Sequence, residues 1–372
     1  MSLPQIDPGS TAGPAIRVMI VDDAVVVRGL MSRWLSEESG IEIVGTFRNG
    51  REAVDNVLKL KPDVAVLDID MPELDGLSAL PLLLARRPDL VVIMASTLTR
   101  RNAEVSLKAL SLGAVDYVTK PETSREIMFT QSFRREIIEK IRHLGRRRAP
   151  KPLLPEALAG EAGAPRAQAI SLRPFSPVLP RVLAIGSSTG GPQALQVMIR
   201  GLTPVLGRLP VVITQHMPQT FTAILAEHLA RAANRPAHEG VHGETIKSGM
   251  LYVAPGGKHM RLERHGDSAT IVIGDDPPVH FCKPAVDPMF QSAASAFGPA
   301  LLAVVLTGMG TDGTDGAGDI AAAGGSIIAQ DEASSVVWGM PGSAAHSGHC
   351  SAVLPLDEIA PRVVRLINGD RP

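Results

Sequence analysis

Short apolar runs alternate with amphipathic stretches through two long parts of the chain. In the first, residues 16 to 143, the runs "IRVMIV", "IEIVGTF", "DVAVLDI", "LVVIMAS" and "VDYVTK" read as strands. The segments between them, such as "REAVDNVLKLK" and "RNAEVSLKALSLG", carry apolar residues at helical spacing. Five such units with nearly continuous apolar strands predict a parallel sheet covered on both faces. The rhythm resumes over residues 181 to 370, with strands "VLAIG", "LPVVITQH", "ALLAVVLTG" and "GSIIAQ" and helices "GPQALQVMIRGL" and "TFTAILAEHLARAA". Residues 237 to 285 contain more turns, including "APGG" and "DDPP", and are expected to hold antiparallel strands. The pattern therefore predicts an α/β protein with two doubly wound parallel-sheet domains.

Between the two parts, residues 144 to 180 lose the period. The stretch "RRRAPKPLLPEALAGEAGAPRAQAISLRPFSPVLP" is dense in Pro, Ala and Arg and reads as a linker. The 372 residues are 45% hydrophobic and 20% charged, with a net charge of −1. That balance fits a soluble protein and gives no reason to expect a nucleic-acid partner. Only two cysteines occur, Cys282 and Cys350, so no disulfide framework is expected. The first residues lack a signal-peptide pattern, and no apolar run approaches the ~18 residues of a membrane span. Together these features predict a cytoplasmic location without membrane insertion.

The chemistry-bearing residues gather at predicted strand ends. Asp22 and Asp23 follow "VMIV", Asp68 follows "VAVL", Ser96 and Thr97 end "VVIMAST", and Lys120 ends "VDYVTK". In a parallel sheet the C-terminal strand ends form one edge, where sites assemble. Three carboxylates converging there repel unless a cation neutralises them, and an oxygen-only set suits Mg²⁺. Taken singly, each aspartate also suits a helix cap or turn.

In the second part, Gly186-Ser187-Ser188-Thr189-Gly190 fits G-x-S-x-G, which lifts a serine above a strand-to-helix turn. The same turn could cradle a phosphate. A nucleophile needs a base and the base an orienting group. His216 follows "LPVVIT" and Asp312 follows "ALLAVVLTG", so all three fall past strand ends. Singly, His216 also suits a structural histidine and Asp312 a helix cap. "GMGTDG" (Gly308 to Gly313), followed by Asp331 and Glu332, matches a dinucleotide fingerprint but sits on a late strand. The spacing of His346, His349 and Cys350 is poor for a structural zinc site.

The phrases "VDDA", "LDIDMPELDG", "AST" and "VTKP" resemble a response-regulator receiver domain. "IGSSTGGPQAL", "ITQHMPQTFTAILAEHLAR", "GMLYVAPGGKHM", "PAVDPMFQSAA" and "VVLTGMGTDG" resemble the catalytic domain of chemotaxis protein-glutamate methylesterases, the CheB family. The resemblance implies a flavodoxin-like receiver and a Rossmann-like methylesterase domain. It implies phosphorylation of Asp68 by a histidine kinase, with Mg²⁺ held by Asp22, Asp23 and Asp68 and with Ser96, Thr97 and Lys120 as switch residues. It implies Ser188 as nucleophile, His216 as general base, Asp312 as its orienter, and N–H groups near Thr189 and Met309 around the oxyanion, with no cofactor in the catalytic domain. The implied activity is demethylation of glutamate methyl esters and deamidation of glutamines on chemoreceptors, switched on by phosphorylation. Two positions depart from the family pattern: Ala24 after the acidic pair, and "PGSAAHSGHC" in place of a smoother small-residue helix. The competing reading is a phosphorylation-regulated interaction module without catalysis.

Overall fold

A computed structural model describes residues 14–120, 131–145 and 170–370. The chain forms two compact units. The first begins with strands β1 (Ile16–Val21), β2 (Ile41–Phe47), β3 (Val64–Asp68), β4 (Val91–Thr97) and β5 (Asp116–Lys120). They pair in the order β2-β1-β3-β4-β5, all parallel. This is the flavodoxin-like order, and its switch point lies between β1 and β3. Helices α1 (Val25–Ser36), α2 (Gly50–Leu60), α3 (Gly76–Arg86) and α4 (Arg100–Ser111) connect the strands in sequence, and α5 (Gln131–Gly145) follows. Every residue of β3 is buried, so the sheet is covered on both faces. α2 starts on Asn49, whose side chain accepts from Glu52 N, an N-cap with a glutamate at the third helical position.

The second unit is a seven-stranded sheet ordered β14-β13-β12-β6-β7-β9-β8, parallel throughout. Its strands are β6 (Val182–Ser187), β7 (Val211–Gln215), β8 (Ala237–Glu239), β9 (Leu251–Val253), β12 (Leu301–Val305), β13 (Ser326–Gln330) and β14 (Ala352–Leu354). The three central strands, β12, β6 and β7, are buried at every position. Helix α6 (Gly191–Leu202) shows why such segments fold as they do. Ala194, Leu195, Met198, Ile199 and Leu202 form one buried stripe, and Pro192 sits in the first turn, where its missing N–H costs nothing. The remaining helices are α7 (Phe221–Ala233), α8 (Val286–Phe297), α9 (Thr314–Ala322), α10 (Met340–His346) and α11 (Leu356–Asn368).

The turn-rich middle contains the expected antiparallel pair, β10 (His259–His265) with β11 (Ser268–Gly274). It also supplies β8 and β9, which join the parallel sheet. Of the proline-rich stretch, residues 146–169 lie outside the described residues. Further on, Arg173 N donates to Cys350 O at 2.9 Å and Ser176 N to Ser326 Oγ at 2.8 Å, so these residues are tied to the second sheet. The "PGSAAHSGHC" departure still forms a helix, α10, whose His346 Nδ1 contacts Gly342 O at 2.8 Å. Among the described residues, no helix is long and apolar enough to cross a membrane.

Candidate active site

Two sites form, one on each sheet, both past C-terminal strand ends. On the first, Asp22 follows β1, Asp68 ends β3 and Lys120 ends β5. Lys120 Nζ lies 2.6 Å from Asp68 Oδ1 and 3.1 Å from Asp22 Oδ2. Asp22 and Asp68 are buried and Asp23 is exposed. Burial pushes the Asp68 carboxyl up to about 7, opposed by the Lys120 charge, and raises Asp22 for the same reason. Burial works against the charge on Lys120, yet the two carboxylates together hold its proton more firmly than usual. Ser96 is buried and Thr97 half-buried at the end of β4, where Thr97 pairs with Lys120 across the sheet. One oxygen from each of Asp22, Asp23 and Asp68 falls within 4.8 Å of the others. A hard oxygen set with two buried carboxylates and one open to solvent fits Mg²⁺, which keeps part of its water shell.

The second site is built on the three central strands of the larger sheet. Ser188 follows β6, His216 follows β7, and Asp312 lies beyond β12, so the neighbouring strands bring them to one edge. The elbow after β6 needs its glycines. Gly190 has φ 76°, a left-handed conformation, and a Cβ there would lie 2.5 Å from Val336 Cβ. A Cβ on Gly191 would lie 2.0 Å from Gln215 Oε1. The two adjacent serines face different surroundings. Ser187 is fully buried and donates to Gln215 Oε1 at 2.7 Å, whereas Ser188 is half-buried. Among the described residues, no group hydrogen-bonds the Ser188 hydroxyl.

The Ser188 backbone is held from both sides. Its N–H donates to Thr307 O at 3.0 Å, and its carbonyl accepts from Gly191 N and from Gln215 Nε2, each at 2.8 Å. Thr307 Oγ1 donates to Thr189 O at 2.9 Å, and Thr307 N donates to Gln330 Oε1 at 2.8 Å. The buried glutamines Gln215 and Gln330 thus brace the loop. Sequence reading alone does not single them out, because a glutamine ending a strand looks like an ordinary surface residue. The Thr189 and Met309 N–H groups donate to no acceptor among the described residues.

His216 Nε2 lies 2.6 Å from Asp312 Oδ2. A carboxylate only accepts, so Nε2 carries a proton and donates it to Asp312. Asp312 is 1% exposed and accepts three backbone bonds besides: Val286 N at 2.6 Å, Asp287 N at 3.0 Å and Gly313 N at 3.0 Å. Burial alone would raise this carboxyl, but His216 and the Val286 and Asp287 N–H groups pull it down to about 2. Burial alone would likewise push His216 toward the neutral form. The Cys282 side chain and Asp312 reverse that and hold the imidazole proton more firmly than in a free histidine.

Two further residues belong to this arrangement. Asp287, in the first turn of α8, accepts from Gly316 N in the first turn of α9 at 2.7 Å. Asp312, which precedes α9, accepts in turn from the start of α8. The two helix N-termini therefore each present N–H groups to a carboxylate associated with the other helix. Burial pushes the Asp287 carboxyl up to about 7, against the Gly316 N–H. No sequence pattern marks Cys282, and "PAVDPMFQSAA" contains Asp287 without singling it out. Their link to the site depends on where the chain returns after β11.

The rival motifs have other uses. The "GMGTDG" loop carries Asp312, committed to four N–H donors, while the Asp331 side chain accepts locally from Ser334 N and Ser334 Oγ. Cys350 is fully buried with its thiol on Ala344 O, and burial pushes it up to about 12.

Known proteins align with both units. Residues 183–363 match the CheB methylesterase family model and residues 18–130 the response regulator receiver domain model. A protein-glutamate methylesterase/protein-glutamine glutaminase of Rhodopseudomonas palustris (strain BisB5) is 59% identical over 97% of each chain. A Bradyrhizobium diazoefficiens protein of that name, of group 2 operon, is 58% identical over 97% of this chain and 96% of its own. Among solved structures, the CheB methylesterase catalytic domain of Thermotoga maritima covers 51% of this chain and 100% of that one, at 36% identity and TM-score 0.49. With a receiver and a catalytic domain each matched, and relatives aligned along nearly the whole length, the chain belongs to the CheB methylesterase family.

Proposed function

We propose that the protein is a phosphorylation-activated serine hydrolase, acting in the cytoplasm, that demethylates glutamate methyl esters and deamidates glutamines on chemoreceptors. We assign residues 16–143 to the receiver, 144–180 to the linker and 181–370 to the catalytic domain. The observation that carries the reading is the 2.6 Å bond from His216 to a carboxylate buried among four N–H donors, beside an accessible serine on the adjacent strand. Ser188 Oγ gives its proton to His216 Nδ1 and attacks the ester carbonyl carbon. The oxyanion accepts from the Thr189 and Met309 N–H groups, which donate to no acceptor among the described residues. Collapse breaks the C–O bond, and His216 returns the proton to the leaving methoxide as methanol. Water, deprotonated by the same nitrogen, then cleaves the acyl-serine and leaves glutamate. With a glutamine side chain the first leaving group is ammonia. Asp312 fixes the tautomer and stabilises the imidazolium without taking its proton.

In the receiver, an Asp68 carboxylate oxygen attacks the phosphorus of a phosphohistidine. The P–N bond breaks and the freed imidazole takes up a proton. Asp22, Asp23 and Asp68 would hold Mg²⁺, which neutralises charge on the phosphoryl oxygens when bound. Lys120, already within 2.6 Å of Asp68, pairs with the new phosphoryl group, and the Ser96 or Thr97 hydroxyl reorients toward it.

The test is methanol release from methylated receptor in the presence of a phosphodonor. Ser188→Ala is expected to lower turnover by several orders of magnitude, and Ser187→Ala to leave most of it. Wild-type turnover by Ser188→Ala would refute the hydrolase reading in favour of a binding module.

A further inference from the structure

Two buried carboxylates lie side by side next to His216. Asp287 is 3% exposed and Asp312 1%. Asp287 N donates to Asp312 Oδ1 at 3.0 Å, and one carboxylate oxygen of each residue lies within 4.8 Å of one from the other. Both Asp312 oxygens are fully engaged by N–H donors. Asp287 is served on one side alone. Its Oδ1 accepts from Gly316 N at 2.7 Å, whereas Oδ2 is buried and accepts no hydrogen bond among the described residues. A carboxylate oxygen cut off from water with no donor is unfavourable, and a second negative charge beside Asp312 adds to that.

One side chain answers both problems. His280 Nε2 lies 3.3 Å from the orphan Asp287 Oδ2, and within 4.8 Å of an Asp312 oxygen. The backbone fixes its position. Val279 and Cys282 exchange two hydrogen bonds across the turn, at 2.8 and 3.1 Å, and His280 between them has φ 48°. Residues other than glycine seldom adopt that conformation, and where they do the surroundings must hold it. The charged and titratable groups facing Asp287 are His280 from the turn before α8, Asp312 from the loop after β12 and Asp315 from the first turn of α9. Of these three, His280 alone can carry a positive charge.

We propose that His280 and Asp287 form a charge-balancing pair, imidazolium against carboxylate, which leaves Asp312 as the single unbalanced negative charge acting on His216. Both are positioning residues that act through Asp312 and His216. The inference rests on the hydrolase reading above, in which His216 must take up and release a proton in each half of the reaction. Without the imidazolium, burial and Asp312 keep Asp287 protonated up to about 7, and above that it ionises unbalanced. His216 is held above the ordinary histidine value, so it titrates where that extra charge is present and grips its proton harder.

The test follows the His216 ring by NMR in the full-length protein carrying isotope-labelled histidine, the signal being assigned by its loss in His216→Gln. His280→Gln is expected to raise the midpoint of that titration by about one pH unit. The acid limb of kcat/KM for methanol release should move with it, lowering kcat/KM about tenfold at a pH on the limb. His280→Lys keeps a cation at the position and should leave the midpoint in place. Asp287→Asn removes the charge that needs balancing, so its combination with His280→Gln should return the midpoint to the wild-type value. A midpoint that His280→Gln leaves unmoved overturns the proposal. So does a rise that Asp287→Asn fails to reverse, or one that His280→Lys reproduces, since either would make His280 a prop for the turn alone. Ser188→Ala runs alongside: normal turnover by that variant refutes the hydrolase reading, and the His216 titration is read independently of it.

Discussion

Asp312→Asn exchanges one oxygen for an NH₂ in a pocket where every partner is a donor. The carboxylate accepts four bonds, from Val286 N and His216 Nε2 on Oδ2 and from Asp287 N and Gly313 N on Oδ1. An asparagine oxygen can serve only one pair. If it keeps Asp287 N and Gly313 N, the amide NH₂ faces the Val286 N–H and leaves one buried donor unpaired. If it flips, both Asp287 N and Gly313 N are unpaired. Each buried orphan costs about 1–3 kcal/mol, so the first orientation prevails and stability falls by roughly that amount. For a domain of this size the loss lowers the unfolding midpoint by about 2–4 °C per kcal/mol. In the favoured orientation the amide donates to His216 Nε2. The imidazole proton then moves to Nδ1, the nitrogen needed as base, and kcat falls by a factor of about 10⁴ as it does for the wrong tautomer in serine proteases. Methanol release measures the first effect and thermal unfolding by circular dichroism the second. Asp312→Asn with more than a tenth of wild-type turnover and an unmoved midpoint would refute the assignment of Asp312.

Asp68→Asn should take up no label from a small-molecule phosphodonor with Mg²⁺, and full labelling would move the phosphorylation site elsewhere. Cys282→Ala removes the first of the groups that raise His216, so the imidazole should lose its proton more readily. The acid limb of kcat/KM, which reports deprotonation of the base, should shift to lower pH, and a limb that stays in place would rule out that influence.

The apolar runs make both sheets legible because buried parallel strands must be apolar on both faces, as in "VMIV" and "VAVL". Ser188, His216 and Asp312 can be proposed from sequence because each follows such a run. Their assembly cannot, since it depends on β12 inserting beside β6 rather than beside β11. The same limit hides Asp287 and Cys282, which reach the site through the path of the chain after β11. β8 and β9 have three residues each, too few for an alternation to register. The buried glutamines escape notice for a different reason: their role is set by the backbone atoms opposite them, which leave no trace in residue type.

The position of β6 between β7 and β12 bears on how the protein is made. During synthesis β6 and β7 emerge early, and β12 only after the β10–β11 hairpin and α8. Until Leu301–Val305 has joined, one edge of β6 has no partner, and every side chain of that strand is one the finished fold buries. An open apolar edge is a template for pairing with other chains. The strand that closes it also leads to Asp312. A nascent chain therefore covers this edge of β6 and brings in Asp312 in the same step, and hydrolytic activity in a population of chains reports how many have inserted β12 beside β6.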